Sequence, residues 1–209
     1  MNTDWNRAYK ERPYIEQLPH NGVVKLINQF NKEKSSKVLD LGCGDGRHLI
    51  FLAQKGYISV GVDSAIWGLR RAKEWAEKET LKIRLAYADV CFLPLESESF
   101  DQVISIQVIH HQRLKSIQKT IDGARRLLRT NGIFYFTVPK YPPGNWKGKK
   151  YTEIEKHTFV PTEGFEKGIP HHFFTAGELR SVLDAFETLE IGDDSDSRRH
   201  WSVLVRKVK

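Results

Sequence analysis

At 209 residues, with 40% hydrophobic residues and five tryptophans, the sequence predicts one globular domain over residues 1–209 rather than a disordered chain. Two cysteines, Cys43 and Cys91, are too few for the disulfide framework of a small secreted protein. The segment MNTDWNRAYKERPY has no signal-peptide apolar core, and no apolar run reaches the roughly 18 residues of a membrane span. A soluble, cytoplasmic protein without membrane insertion is expected. The net charge of +7 leaves acidic partners open, but the basic residues are scattered, and charge alone assigns no function.

In chain order, Val23, Leu26, Ile27 and Phe30 recur at helical spacing, and residues 1–34 are expected to form a helical cap. Lys37 to Leu41 predicts a strand, followed by a helix opening near Asp45 that carries Leu49, Leu52 and Ala53 inward and ends at Gly56. Residues 57–63 read as a second strand, and Ile66, Leu69, Ala72 and Ala76 mark a second such helix. A strand near Leu81–Ala88, a buried strand over Asp101–Ile106, and a helix through Leu114, Ile117, Ile121, Ala124 and Leu128 follow. Asn131-Gly132 predicts a turn before a strand at Ile133–Val138. This alternation implies an α/β, Rossmann-like doubly wound sheet, mainly parallel.

The rhythm then changes. Thr175 and Glu178 have capping-box spacing before an amphipathic helix, and strands at 187–191 and 201–205 follow without an intervening helix. Two strands so joined predict a C-terminal antiparallel hairpin on the sheet edge. Between them and the parallel part, residues 139–172 form a long connection without a predicted element of its own, expected to wall a substrate.

The stretch VLDLGCGDGRH (38–48) joins the first strand to the first helix of the alternating part. Its glycines, Gly42, Gly44 and Gly46, let a ligand approach the backbone at a helix N-terminus. They do not fit the G-x-G-x-x-G dinucleotide spacing, and no P-loop G-K-[ST] ending is present. Asp40 and Asp45 would repel a pyrophosphate and favour a cationic ligand. Asp63 ends the second strand, where an acid can accept from both ribose hydroxyls, with Ser64 beside it. Asp89, with Val90, follows the third strand, where a carboxylate can meet an adenine amine. Cys43, between two glycines, reads as a packed thiol lining the loop rather than a nucleophile.

In their order and spacing these motifs resemble the class I S-adenosylmethionine-dependent methyltransferases. ISIQVIHH and RRLLRTNGIFYFTVP resemble the type-11 group, and PHHFFTAGELRSVLDAF resembles small tellurite-resistance-like enzymes. The resemblance implies the seven-strand methyltransferase fold and S-adenosyl-L-methionine as cofactor, with S-adenosyl-L-homocysteine as product. It places Asp40, Gly42, Cys43, Gly44 and Gly46 around the methionine part and Asp63 and Ser64 at the ribose. Asp89 and Val90 would flank the adenine, and Gln107 would lie near the methyl group.

A small-molecule acceptor is expected. Aromatic Tyr9 and Tyr14, His111 of the doublet His110/His111, Tyr141, and His171 of the doublet His171/His172 are candidates for its side of the site. Either doublet could supply a base, and no Cys or carboxylate spacing beside them indicates a metal. Lys140, Lys147, Lys149 and Lys150 among Tyr141, Trp146 and Tyr151 keep an RNA acceptor as an alternative. A protein acceptor and a non-catalytic cofactor-binding module are the others. The absence of an N-P-P-Y-type motif after the fourth strand argues against DNA.

Overall fold

Every second residue of the central strands faces the same helical layer, and this period fixes the architecture. In the computed structural model, which describes residues 3–29, 36–142 and 150–208, helices α1 (Thr3–Glu11) and α2 (Asn21–Gln29) precede β1 (Lys37–Leu41). Then come α3 (Arg47–Gln54), β2 (Ile58–Asp63), α4 (Ile66–Lys78), β3 (Arg84–Tyr87), β4 (Phe100–Ile106), α5 (Leu114–Leu127) and β5 (Leu128–Pro139). Residue Phe30, the outer parts of the predicted 1–34 cap, and Trp146, Lys147 and Lys149 lie outside the described residues.

Strands β3, β2, β1, β4 and β5 lie side by side and parallel. Leu39, Leu41, Val103, Phe134 and Phe136 point into one layer, where α5 and the later helix α6 (Ala176–Val182) supply Ile117, Ile121 and Leu179. Val38, Ile104, Ile106, Ile133 and Tyr135 point into the other, against Val23, Leu26 and Ile27 of α2 and Leu52 of α3. Burial on both faces is why β1 and β4 read as nearly unbroken apolar runs. Gly56, at φ 85°, ends α3 as its sequence predicts.

The last two strands, β9 (Phe186–Asp193) and β10 (His200–Lys207), close the seven-stranded sheet. Strand β10 lies between β5 and β9 and is antiparallel to both. Thr175 caps α6 reciprocally: its hydroxyl accepts from the Glu178 N–H, and its own N–H donates to the Glu178 carboxylate. Among the described residues no helix is long and apolar enough to cross a membrane.

Two expectations change. Asn131-Gly132 does not end a turn outside the sheet; β5 runs through it from Leu128 to Pro139. Asn131 adopts φ 64°, and the pairing of β4 with β5 slips between Phe100 and Gln102, so the turn-forming dipeptide produces a bulge. The connection 139–172 has structure of its own: β6 (Tyr151–Glu155), β7 (Thr158–Pro161) and β8 (His171–His172) form a separate three-stranded sheet. The N–H of His172 donates to the His110 carbonyl at 2.8 Å, tying this small sheet to the turn after β4.

Phe136 is fully buried on the central sheet; Phe136→Ala should cost about 3–5 kcal/mol in urea unfolding. Thr175→Ala removes one capping partner and should cost about 1 kcal/mol in the same assay.

Candidate functional site

Strand order reverses between β1 and β4, since β1 pairs with β2 on one side and β4 on the other. In open α/β sheets the crevice at the carboxyl ends of the strands at such a point takes ligands. A cavity of about 610 Å³ lies there, with the glycine loop, the ends of β2 and β4, the N-terminal segment and the 139–172 connection in its wall.

The loop is held by backbone. The N–H groups of Gly42 and Cys43 both donate to the Val62 carbonyl, at 2.8 and 3.1 Å. Gly42 has φ 74°, and a Cβ there would lie 2.3 Å from Val108 Cγ1; at Gly44, with φ 53°, it would lie 2.1 Å from the Tyr9 hydroxyl. Both positions therefore need glycine for conformation and for space. Gly46 starts α3 at φ 90°, with α4 close behind it at Ala72.

Asp63 joins this loop to the next. One carboxylate oxygen accepts from the Gly44 N–H at 2.8 Å, the other from the Ala65 N–H at 2.7 Å. Burial pushes its pKa up to about 6, against the opposing pull of those N–H groups. A carboxylate offers about four acceptor sites, so acceptor capacity remains for a ligand hydroxyl.

The two acids expected to face a cationic ligand instead have protein partners. Asp40 turns onto the α3 side of the sheet, 3.3 Å from His48 Nδ1, and does not line the cavity. Asp45 lines it but is paired with Arg12. Arg12 also lies 4.4 Å over the Tyr9 ring, and its carbonyl accepts from Arg71 at 3.0 Å. The segment after α1 is thereby fastened across the glycine loop and forms one wall. Burial beside Asp63 and Asp45 drives the Tyr9 hydroxyl pKa well up, so the phenol stays protonated. Burial likewise raises that of the Cys43 thiol, which keeps it un-ionised and poorly nucleophilic.

Of the sequence-predicted cofactor residues, Gly42, Cys43, Asp63, Ser64, Asp89, Val90 and Gln107 line the cavity. Gly44 and Gly46 lie behind it and shape the loop. Asp89 accepts from the Cys91 N–H at 2.9 Å, an Asx turn that aims its carboxyl group. Gln107 follows β4 at φ 58°, a left-handed conformation for a residue with a side chain, its N–H donating to Thr137 Oγ1 at 3.0 Å.

On the expected acceptor side, Tyr9, His111 and His171 line the cavity, while Tyr14 and Tyr141 lie away from it. Tyr14 packs edge-on against Trp75 with Arg71 over its ring. Tyr141 stacks one face on His157 at 3.8 Å and is otherwise exposed. The structure adds residues the motifs did not mark: Arg12, Phe165, Phe173, Arg199 and His200. From the two histidine doublets, distant in sequence, His110, His111 and His171 converge there. The His110 and His111 rings lie 3.9 Å apart, His171 meets His111 at 4.6 Å, and Trp5 meets His111 edge-on at 4.7 Å. Burial and mutual repulsion lower the pKa values of His110 and His111 well below the usual imidazole range, leaving neutral rings.

Of the described lysines of the expected basic wall, Lys140 is bonded to Asp193 at 2.5 Å and lies over the Trp201 ring. Lys150 lies 3.6 Å from Glu163.

A family described as "Methyltransferase domain" matches residues 38–132, from β1 into β5. An uncharacterized methyltransferase of Synechocystis is 36% identical over 110 residues, covering 53% of this chain and 50% of that protein. A ubiquinone biosynthesis O-methyltransferase of Coxiella burnetii is 30% identical over 151 residues, covering 72% and 61% respectively. The chain thus spans only half to three-fifths of the length of those relatives. A solved structure of a SAM-dependent methyltransferase from Methanosarcina mazei shares the fold, with a TM-score of 0.72 at 20% identity over 93% of this chain and 99% of that one. With the glycine loop, the strand order and the antiparallel β10 described above, these matches make residues 38–132 a methyltransferase domain, in a chain whose fold is that of the S-adenosylmethionine-dependent methyltransferases.

Proposed function

We propose that this chain transfers the methyl group of S-adenosylmethionine to a hydroxyl of a small-molecule acceptor. The observation that carries this reading is the two-ended cavity at the strand-order reversal. One end has glycine backbone and Asp63; the other has neutral imidazoles and aromatic rings. In this reading Asp63 accepts from the ribose hydroxyls and Asp89 from the adenine amine, while Gly42 and Cys43 border the methionine part. The residues fit that group, since the cradle admits no Cβ at Gly42 and the Asp63 carboxylate retains acceptor capacity.

The cofactor supplies an activated methyl group on a sulfonium. The chain's work is then alignment, for which the cavity holds both reactants within one wall system. Bound by Gly42, Cys43, Asp63 and Asp89, the donor would supply its methyl group to the acceptor oxygen, with the electron pair of the carbon–sulfur bond left on sulfur and the acceptor proton passing to solvent. The relative named for ubiquinone biosynthesis, an O-methyltransferase, supports oxygen as the accepting atom. A small acceptor is favoured over RNA because Lys140 and Lys150 face carboxylates. We place the enzyme in the cytoplasm, with both cysteines free.

Calorimetry with S-adenosylhomocysteine tests the cofactor end. Asp63→Ala should weaken binding at least about 30-fold, since hydrogen bonds to a charged group contribute roughly 1.5–3 kcal/mol each; unchanged affinity would refute the ribose assignment. The pH dependence carries a sign. The folded carboxyl titrates near 6 against 3.8 when free, so its contribution to apo stability falls as pH rises through that window. Affinity for the ligand hydroxyls, which needs the ionised acid, rises over the same window. S-adenosylhomocysteine binding should therefore be flat above about pH 6 and weaken by up to about tenfold per unit below it. The same titration in Asp63→Asn should lose this step.

The acceptor class is read by salt. Turnover with a phenolic or other small hydroxyl acceptor should change little across the range in which an RNA complex would lose orders of magnitude of affinity. A steep salt dependence accompanied by RNA binding would overturn the small-molecule reading.

A further inference from the structure

We propose that His110, His111 and His171 form a three-imidazole site for a divalent transition ion, best matched to Zn²⁺, at the acceptor end of the cavity. One ring nitrogen from each residue lies within 4.8 Å of those of the other two. An ion central to such a triangle would be about 2.8 Å from each nitrogen, so Zn–N bonds of about 2.0–2.1 Å need each ring to move by less than about 1 Å. Nδ1 of His110 and Nδ1 of His111 are both buried without a hydrogen-bond partner. An unpaired buried imidazole nitrogen is a costly arrangement in a core, and two aimed into one cluster share a remedy in a common ligand. Glu166 brings a carboxylate to 3.6 Å from His171 Nε2, and a carboxylate beside a ligating imidazole is the kind of outer contact that fixes its tautomer.

The donor set selects the ion. Three imidazole nitrogens suit zinc and its transition-metal neighbours and disfavour Mg²⁺ or Ca²⁺, which take oxygen ligands. Three protein ligands with a fourth position toward a cavity is the pattern of catalytic rather than structural zinc. His110, His111 and His171 all line the cavity, so the fourth position is open to an acceptor oxygen. An ion there would lower the pKa of that hydroxyl and release its proton to solvent. The role of the ion in methyl transfer rests on the proposed function; its binding does not.

The other group able to hold an ion among the described residues is His20 with Asp194 and Asp196, whose donor set mixes one imidazole with two carboxylates. His20 Nε2 lies 2.9 Å from Asp194, and Asp196 accepts from both the N–H and the side-chain amide of Asn21. It serves as the internal control.

The test uses the full chain, stripped with chelator and titrated with Co²⁺, read by ligand-field absorption in the visible and by quenching of tryptophan fluorescence. Zn²⁺ then displaces the Co²⁺ in competition. The expected result is one Co²⁺ per chain, with affinity lowered more than about 100-fold in His111→Asn and in His171→Gln, since even outer-contact changes at metal sites cost about 10–100-fold. Asp196→Asn should keep the full stoichiometry and affinity. Metal-free S-adenosylhomocysteine binding, measured in each variant, confirms that the fold is intact; should one histidine variant lose it, the other decides. No stoichiometric Co²⁺ or Zn²⁺ binding would overturn the site, as would binding that survives both histidine changes or is lost in Asp196→Asn. Metal binding as expected in a chain that binds no S-adenosylhomocysteine would sink the functional reading and leave the metal site standing.

Discussion

Two backbone N–H groups from different loops share one carboxylate, and the geometry of the site follows from that arrangement. Asp63 receives Gly44 from the turn after β1 and Ala65 from the turn after β2. It thereby fixes where α3 and α4 start relative to each other. Because both bonds are to backbone, side-chain changes elsewhere in the loops leave them in place. The same acid is buried enough that its charge is costly, which explains a pKa near 6 despite two donors. A site ready for hydroxyls has been built by keeping a carboxylate short of full solvation. Its remaining lone pairs are the polar capacity left for a ligand.

The glycine-loop end of the cavity was legible because its signals are local. A strand, three alternate glycines and a helix are contiguous in sequence, and Asp63 and Asp89 each end a strand whose apolar run is visible by itself. The apolar runs of β1, β4 and β5 marked them as buried strands, and the capping box at Thr175 announced α6. The two loop acids part company. Asp45 lines the cavity and Asp40 does not, and spacing disclosed the partners of neither. His48, on the following helix, answers Asp40, and Arg12, 33 residues upstream, answers Asp45. Local charge was therefore a weaker guide than backbone conformation.

The acceptor half was not legible for a different reason. His110 and His111 follow β4, His171 belongs to a small sheet inside the 139–172 connection, and His200 opens β10. No spacing rule links them, since each is delivered by a separate element. Tyr14 and Tyr141 show the converse: aromatic residues at promising positions that lie outside the cavity, each against one protein ring, Trp75 and His157. An aromatic ring needs a partner surface, and sequence does not reveal whether protein or ligand supplies it.

The position of β10 bears on how the chain comes into being. It is the last strand of the sequence, yet it lies inside the sheet, between β5 and β9. During synthesis β5, with Phe134, Phe136 and Val138 along it, therefore waits with an open hydrogen-bonding edge until residues 200–206 are made and can pair with it. β9 emerges earlier but cannot serve as a substitute without occupying the slot that β10 must take. An apolar edge left open in this way is the kind that pairs with other chains. For this protein the interval between the making of β5 and the making of β10 is the period of greatest exposure to misassembly, and it is set by strand order rather than by final stability.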